Sequence, residues 1–224
     1  MNNYIFLIHG FCGKPLTFLP IKWALIKRGY KNIHILQYSS TILSLKEAIE
    51  LIYKQIIKII NINKINNIIL IGHSFGGVIS YNLYKLYKHL PISLLLLIAC
   101  PLKSCRFLKS IHSYLPSNIS KFFLHKLPAL QDLLECNINN KDINITIPYY
   151  TITTNLFYSH DFDGSIYIDD AIIDKTRNFT IPNSSHNLLL INYECLKKIC
   201  ELLDNHFFTI STVENNCIKV DINN

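Results

Sequence analysis

The chain has 224 residues, half of them hydrophobic and only 17% charged, which is typical of a folded domain and excludes a disordered chain. Its formal charge is +7, but the basic residues are scattered and form no nucleic-acid-binding motif, so we expect no nucleic-acid partner. The seven cysteines are an odd count without a Cys-x-x-Cys pair, which argues against a disulfide framework or a zinc site. They favour a reducing compartment such as the cytoplasm. No segment predicts a signal peptide or a membrane span.

Apolar runs of strand length alternate with stretches of helical periodicity. In chain order, the pattern predicts strand 4–9, helix 15–28, strand 32–38, helix 44–60, strand 68–72, helix 75–88, strands 92–99, 148–154 and 178–181, and helix 187–204. Continuous apolar strands joined by helices predict an α/β fold, with a mostly parallel sheet of about six strands and helices on both faces. The tail from Thr209 has weak patterning, and we expect it to add an edge strand or to stay mobile.

Residues 101–145 interrupt this alternation. They contain three prolines and two short amphipathic pieces, 106–112 and 120–127. An insertion of this length is typical of a lid or a capping subdomain, so we interpret the chain as one domain, 1–224, with 101–145 as a lid or cap. Basic residues interleaved with Phe and Leu suit a helix at an anionic membrane surface, and they equally suit a small cap packed on the core.

One short motif indicates chemistry. Residues 72–76 read Gly-His-Ser-Phe-Gly, after the apolar run 67–71 and before a predicted helix. A Gly-x-Ser-x-Gly motif at a strand–turn–helix junction is typical of a nucleophile elbow, in which a sharp turn exposes the serine hydroxyl above the sheet. Gly72 and Gly76 lack a β-carbon, so the strand and the helix can approach closely. We therefore predict that Ser74 is a nucleophile.

A serine nucleophile needs a base and a third group that orients the base. His186 is the candidate base because it lies between the last predicted strand and the last predicted helix, at the carboxyl edge of the sheet. His160 is a weaker candidate. Asp161 and Asp163 both qualify by position as the acid, and Asp163 is favoured because Gly164 behind it suits a tight turn.

An oxyanion hole is the third requirement. Its candidate donors are the backbone N–H of Phe75, directly after the nucleophile, and that of Phe11, in the loop 9–13 after the first strand. A glycine-rich loop after a strand can also cradle phosphate. The chain has neither a P-loop nor a dinucleotide-binding pattern, so we expect no nucleotide cofactor.

Several of these segments resemble the α/β-hydrolase superfamily and, within it, the small bacterial lipases and esterases. Residues 7–11 (Leu-Ile-His-Gly-Phe) resemble its oxyanion strand and loop, and 71–77 its nucleophile elbow. Residues 99–104 resemble the strand exit before the lid, 163–166 the acid turn and 185–186 the histidine loop. The resemblance covers roughly 4–208 and implies a Ser74–Asp163–His186 triad in the order that the fold requires. It implies no metal and no other cofactor.

The leading hypothesis is a serine hydrolase that cleaves carboxylic esters, with a small-molecule or lipid ester as its substrate. Thioester hydrolysis and acyl transfer use the same triad and stay open. A catalytically silent scaffold that binds a lipid or a protein is the alternative from another class. The expected location is cytoplasmic, with peripheral contact to an anionic membrane as an open possibility.

Overall fold

Six parallel strands form a single sheet at the centre of the molecule. The computed structural model describes residues 3–63, 67–136, 138, 142–157 and 159–221, with the side chains at 61–63, 121, 123, 210–211 and 213–221 outside that description. The strand order across the sheet is β2-β1-β3-β4-β5-β6, and every neighbouring pair is parallel. The strands are β1 (Asn3–Ile8), β2 (Ile33–Ile35), β3 (Asn67–His73), β4 (Ile92–Ile98), β5 (Tyr149–Thr154) and β6 (Asn178–Ile181). All carboxyl ends therefore meet at one edge of the sheet, where α/β proteins bind their ligands.

Helices cover both faces of the sheet. Side chains alternate along a strand, so Phe6 and Ile8 of β1 join one apolar layer while Ile5 and Leu7 join the other. The helices are α1 (Leu19–Lys27), α2 (Leu45–Asn63), α3 (Phe75–Leu86), α4 (Arg106–Tyr114), α5 (Ser117–Lys126), α6 (Pro128–Glu135), α7 (Ile168–Ala171) and α8 (Tyr193–Asp221). Helices α2, α3 and α6 pack on the first layer, and α1 and α8 pack on the second.

The predicted fold class is confirmed, with corrections to two helices and to the tail. The helix expected over 15–28 begins with a separate 3-10 turn, Pro15–Phe18, before α1. The helix expected over 187–204 is a 3-10 turn, Leu188–Ile191, followed by α8. The break falls at Asn192, whose Oδ1 accepts the N–H groups of Glu194 and Cys195 as a helix N-cap. The tail does not add an edge strand, because α8 continues through it to Asp221.

The described part of the segment between β4 and β5 holds three helices where the sequence predicts two amphipathic pieces. The helix that was not predicted, α6, buries Ala129 and Leu133 in the first apolar layer. Its Asp132 carboxylate accepts the Leu45 N–H of α2 at 2.6 Å. At the other end, the buried Asp170 accepts both the backbone N–H and the Nε–H of Arg106, at 3.0 and 2.7 Å. The start of α4 and the whole of α6 are thus tied to the body of the domain.

No helix in the described part of the chain is long and apolar enough to cross a bilayer.

Candidate active site

Backbone strain is concentrated at the carboxyl edge of the sheet. Among the described residues, the non-glycine positions with positive φ are Cys12, Ser74, Ala99 and Asn183. They follow β1, β3, β4 and β6, so all four lie at the same edge. A non-glycine residue in this region costs about 1–3 kcal/mol, and such residues cluster at active sites. The distribution of strain therefore indicates this edge as the functional site without reference to any motif.

Ser74 forms a sharp turn between β3 and α3. Its backbone angles are φ 54° and ψ −124°. The turn is held on both sides, because the Ser74 N–H donates to the Ile98 carbonyl at 2.8 Å and its carbonyl accepts the Gly77 N–H at 2.9 Å. The side chain is half-buried. This is the geometry expected of a nucleophile elbow.

The glycines around Ser74 permit the elbow, as the sequence predicts. A β-carbon on Gly72 would lie 2.4 Å from the Gly76 carbonyl oxygen, and one on Gly76 would lie 2.1 Å from the Ile8 carbonyl oxygen. Both distances are far inside van der Waals contact. A β-carbon on Gly10, in the loop after β1, would lie 2.8 Å from Ser74 Cβ. The loop after β1 therefore packs directly on the serine.

His186 and Asp163 form a buried hydrogen-bonded pair. His186 Nδ1 donates to Asp163 Oδ2 at 2.7 Å, and the His186 backbone N–H donates to the Asp163 carbonyl at 2.9 Å. The other carboxylate oxygen accepts the N–H groups of Ser165 and Ile166 at 2.8 and 2.7 Å, in a tight turn where Gly164 has φ +96°. The carboxylate is thus fixed by the backbone and holds the imidazole. A donor at Nδ1 leaves Nε2 as the nitrogen able to accept a proton.

Ser74 and His186 are connected through His73. The buried His73 ring lies 4.7 Å from the His186 ring, and its Nε2–H donates to the His186 carbonyl at 3.0 Å. Within the described residues, no hydrogen bond joins Ser74 Oγ to the His186 ring. Catalytic contacts are often loose before substrate binds and tighten in the complex.

His73 is a neutral histidine. Burial, and after it the neighbouring His186, holds the pKa of His73 well below its usual value. A neutral ring that contacts a carbonyl through Nε2 must carry its proton there. The sequence analysis does not single out His73, and it misses the contact with His186. The signal available was its position beside the serine.

The loop after β1 has the form of an oxyanion loop. Residues 10–13 form a turn in which the Gly13 N–H donates to the Gly10 carbonyl at 3.1 Å, with Cys12 at φ 54°. This bond does not use the Phe11 N–H, which among the described residues has no backbone acceptor. Phe75 is the first residue of α3, and the N–H of a helix's first residue has no acceptor within the helix. The two predicted donors therefore sit on the two segments that meet at Ser74.

His9 and Tyr38 pack together at the base of the loop after β1. The His9 ring stacks on Tyr38 with centroids 4.4 Å apart, and the Tyr38 hydroxyl donates to the His9 carbonyl at 2.6 Å. His9 Nδ1 donates to the Gly10 carbonyl at 3.0 Å. Burial lowers the pKa of His9 and raises that of Tyr38, so both rings are neutral. No sequence signal identifies Tyr38, because its partner lies 29 residues away.

The other sequence candidates lie away from this cluster. Asp161 is exposed and accepts the Ser159 hydroxyl, and His160 is exposed beside it. A histidine farther along the chain, His206, hydrogen-bonds Ser93 near the amino end of β4, at the opposite edge of the sheet. In the described part of the chain, no group of three His, Cys, Asp or Glu side chains is placed to hold a metal ion.

A small cavity of about 170 Å³ opens beside the oxyanion loop. It is bounded by the loop after β1, by His73 and by the segment after His186, and its lining residues are Gly10, Phe11, Gly13, Thr17, His73, Asn187, Leu190 and Ile191. Its walls are largely apolar or backbone. A short apolar part of a substrate fits this space better than a charged group.

The sheet order, the elbow and the histidine loop together define an α/β-hydrolase fold, and the resemblance stated from the sequence is confirmed at that level. A family model described as a PGAP1-like alpha/beta domain matches residues 34–128. No curated protein matches the chain at a significant level.

Solved structures of hydrolases share the fold across most of the chain. The mature lipase BlEst2 of Bacillus licheniformis superposes with a TM-score of 0.71 at 13% identity, covering 89% of this chain and 91% of that one. A lipase-esterase related protein from Clostridium acetobutylicum gives 0.57 at 18% identity, covering 92% and 94%. The phospholipase PlaB of Legionella pneumophila gives 0.62 at 14% identity, covering 91% and 62%. At these identities the likeness shows the fold alone.

Proposed function

We propose that the protein is a serine hydrolase that cleaves carboxylic esters through an acyl-enzyme. The observation that carries the proposal is the buried 2.7 Å bond between Asp163 and His186 beside a serine strained in an elbow. Similar structures named as lipases and a phospholipase support an ester, including a lipid ester, as the substrate class. The odd cysteine count supports a cytoplasmic location. We also propose that the enzyme acts at a membrane surface.

In the proposed reaction, Ser74 Oγ attacks the ester carbonyl while His186 Nε2 takes the hydroxyl proton. Asp163 holds the imidazole in the required tautomer and stabilises the imidazolium. The N–H groups of Phe11 and Phe75 receive the charge that develops on the carbonyl oxygen. His186 then gives its proton to the leaving alcohol. Water then attacks the acyl-Ser74 ester while His186 takes a proton from it. His186 returns this proton to Ser74 Oγ, and the acid is released.

The direct test is labelling with a fluorophosphonate probe, followed by hydrolysis of p-nitrophenyl esters of increasing chain length. We expect labelling at Ser74, and no labelling or turnover in Ser74→Ala. Asp163→Asn should lower kcat by roughly 10³–10⁴-fold, because the imidazole loses its orienting acceptor. The matched control is Asp161→Asn, two residues away and exposed, which should keep full activity.

Two results would contradict the proposal. An unlabelled Ser74 in folded protein, with esterase activity unchanged in Ser74→Ala, would show that Ser74 is not the nucleophile. Equal losses in Asp161→Asn and Asp163→Asn would remove Asp163 from its role. Product analysis with matched ester and thioester substrates, with and without an added alcohol acceptor, separates ester hydrolysis from thioesterase and acyltransferase activity on the same residues.

A further inference from the structure

Helix α1 is apolar on both of its faces. Ile21 and Leu25 are fully buried against the sheet, as expected for a covering helix. The opposite face carries Leu19, Trp23 and Ile26, spaced by four and three residues, and these side chains are 43%, 65% and 50% exposed. A contiguous apolar patch on a protein surface commonly marks an interaction site. The outer face of α1 is therefore built to be covered by something outside the described chain.

The apolar surface continues onto the segment after His186. The 3-10 turn Leu188–Ile191 and the start of α8 pack beside α1. Leu188, Ile191 and Tyr193 are 54%, 57% and 74% exposed there. A groove of about 560 Å³ between α1 and α8 is lined by both Trp23 and Tyr193. We call these six exposed residues, Leu19, Trp23, Ile26, Leu188, Ile191 and Tyr193, the α1 surface.

Lysines on α1 bring positive charge to the α1 surface. The first acidic residue of the whole sequence is Glu47, whereas residues 1–46 contain six lysines and arginines. Lys22 and Lys27 flank Trp23 on α1, and the Lys27 ammonium lies 5.0 Å from the centre of the Trp23 ring. The carboxylates on the adjoining turns of α8 are Glu194, Glu201 and Asp204. Glu201 is paired with Lys198 at 2.7 Å, and Asp204 with Arg28 at 2.6 Å.

We propose that the α1 surface docks on an anionic lipid bilayer. Leu and Ile side chains enter the acyl boundary, the amphipathic Trp23 and Tyr193 rings lie at the headgroup level, and lysines extend to the phosphates. The excess of cations around an apolar stripe complements an anionic surface, where each nearby lysine or arginine adds to the attraction. A second copy of this chain would present the same cations and would be repelled, so charge favours the bilayer over self-association.

Docking in this orientation brings the candidate active site to the membrane. Ile191 belongs to the α1 surface and also lines the 170 Å³ cavity beside Phe11 and His73. The 3-10 turn Pro15–Phe18 leads from the oxyanion loop into α1, and its Leu16 side chain is exposed. An ester drawn from the bilayer would reach the cavity without crossing bulk water. This consequence rests on the proposed function, whereas the docking itself does not.

A competing apolar surface lies on the insertion, whose amphipathic pieces suit either a membrane surface or a cap packed on the core. Ile111, Tyr114 and Ile119 are exposed on α4 and α5. The insertion therefore serves as the internal control for the α1 surface.

The chain's single tryptophan, Trp23, is the reporter for the test. Ser74→Ala protein is mixed with phosphatidylcholine vesicles that contain either no anionic lipid or roughly one third phosphatidylserine. With anionic vesicles we expect the Trp23 emission to shift to the blue and to be quenched by brominated acyl chains. Raising the salt from about 0.05 M to about 0.5 M should weaken binding at least tenfold. Using Ser74→Ala separates docking from hydrolysis, so a failure of the proposed chemistry leaves the result unaffected.

Two pairs of substitutions test whether the α1 surface or the insertion contacts the vesicles. Leu19→Ser with Ile26→Ser should weaken vesicle binding by about tenfold or more, since two exposed side chains lose their apolar contact with lipid. Circular dichroism and urea unfolding check that this variant is folded. Ile111→Ser with Ile119→Ser, on the insertion, should leave binding unchanged. The proposal is overturned by vesicle binding without a change in Trp23 emission, by binding lost only in the insertion variant, or by the absence of binding. It is also overturned if light scattering shows a dimer that buries Trp23.

Discussion

Ser74 carries a strained backbone that the surrounding residues hold in place. The strain of about 1–3 kcal/mol persists because β3, α3 and the loop after β1 all pack against the turn. The neighbouring His73 has a related function. Its Nε2–H donates to the His186 carbonyl, so the residue before the proposed nucleophile holds the backbone of the proposed base. We interpret His73 as a positioning residue.

This interpretation predicts different outcomes for two substitutions of His73. His73→Phe keeps the ring but loses the donor, and we expect kcat for ester hydrolysis to fall by about tenfold to a hundredfold with little change in KM. His73→Gln keeps an N–H donor at a similar reach and should recover most of the rate. Steady-state kinetics of both variants at pH 7.5 provide the measurement. Equal rates for the Phe and Gln variants would show that the N–H donor to the His186 carbonyl does not contribute to kcat.

Part of the candidate site follows from local sequence, and part does not. Asp163 and His186 could be selected because chain order and turn residues restrict the choices, and the structure brings these two side chains together at 2.7 Å. Their catalytic roles, and that of Ser74, stay a prediction. The His73–His186 and Tyr38–His9 contacts join residues 113 and 29 positions apart. Such contacts depend on how the strands align, which one sequence does not reveal.

Helix α3 approaches β1 very closely at Gly76. A β-carbon there would meet the Ile8 and His9 carbonyl oxygens at 2.1 and 2.5 Å. Backbone atoms cannot rotate away as a side chain can. Any substituent at Gly76 must therefore push α3 off the sheet and shift the Phe75 N–H with it.

Gly76→Ala should accordingly lower the free energy of unfolding by about 3 kcal/mol and abolish probe labelling of Ser74. Gly29→Ala is the matched control. Gly29 also needs glycine, with φ +100°, but nothing lies within 4 Å of its added β-carbon. It should cost only about 1 kcal/mol of backbone strain and keep labelling intact. Urea unfolding followed by circular dichroism measures both, and similar losses in the two variants would contradict the packing argument.

At the level of elements, hydrophobic periodicity was sufficient for the sheet and insufficient for the insertion. Strands such as β3 and β4 are continuous apolar runs bounded by turn residues, which identifies them locally. Helix α6 has eight residues and begins at Pro128, so it is too short to show a clear period. The end of α8 is long enough to show a period, but its polar residues weaken the hydrophobic pattern. No glycine or proline interrupts the helix before Asp221.

At the scale of the whole molecule, two buried histidines, His9 and His73, bind a proton less readily in the fold than in the unfolded chain. His9 and His73 are almost completely inaccessible to solvent, and burial lowers the pKa of both. In the unfolded chain each returns to its ordinary pKa of about 6.5. At a pH between the ordinary pKa and the lower pKa in the folded state, the unfolded chain binds a proton at each of these histidines and the folded chain does not. The fold is therefore fully stable above about pH 6.5 and loses stability as the pH falls below it.

We expect the free energy of unfolding to drop between pH 7.5 and pH 5.5 by up to about 1.4 kcal/mol for each buried histidine that stays neutral. His73→Gln removes one such group and should recover about 1 kcal/mol of the acid loss, even though it contacts the same carbonyl. His160→Gln is the control, because His160 is exposed and its replacement should leave the loss unchanged. Urea unfolding at the two pH values measures all three proteins. An acid loss that is identical in wild type and His73→Gln would mean that His73 accepts a proton inside the fold, in conflict with its burial beside His186.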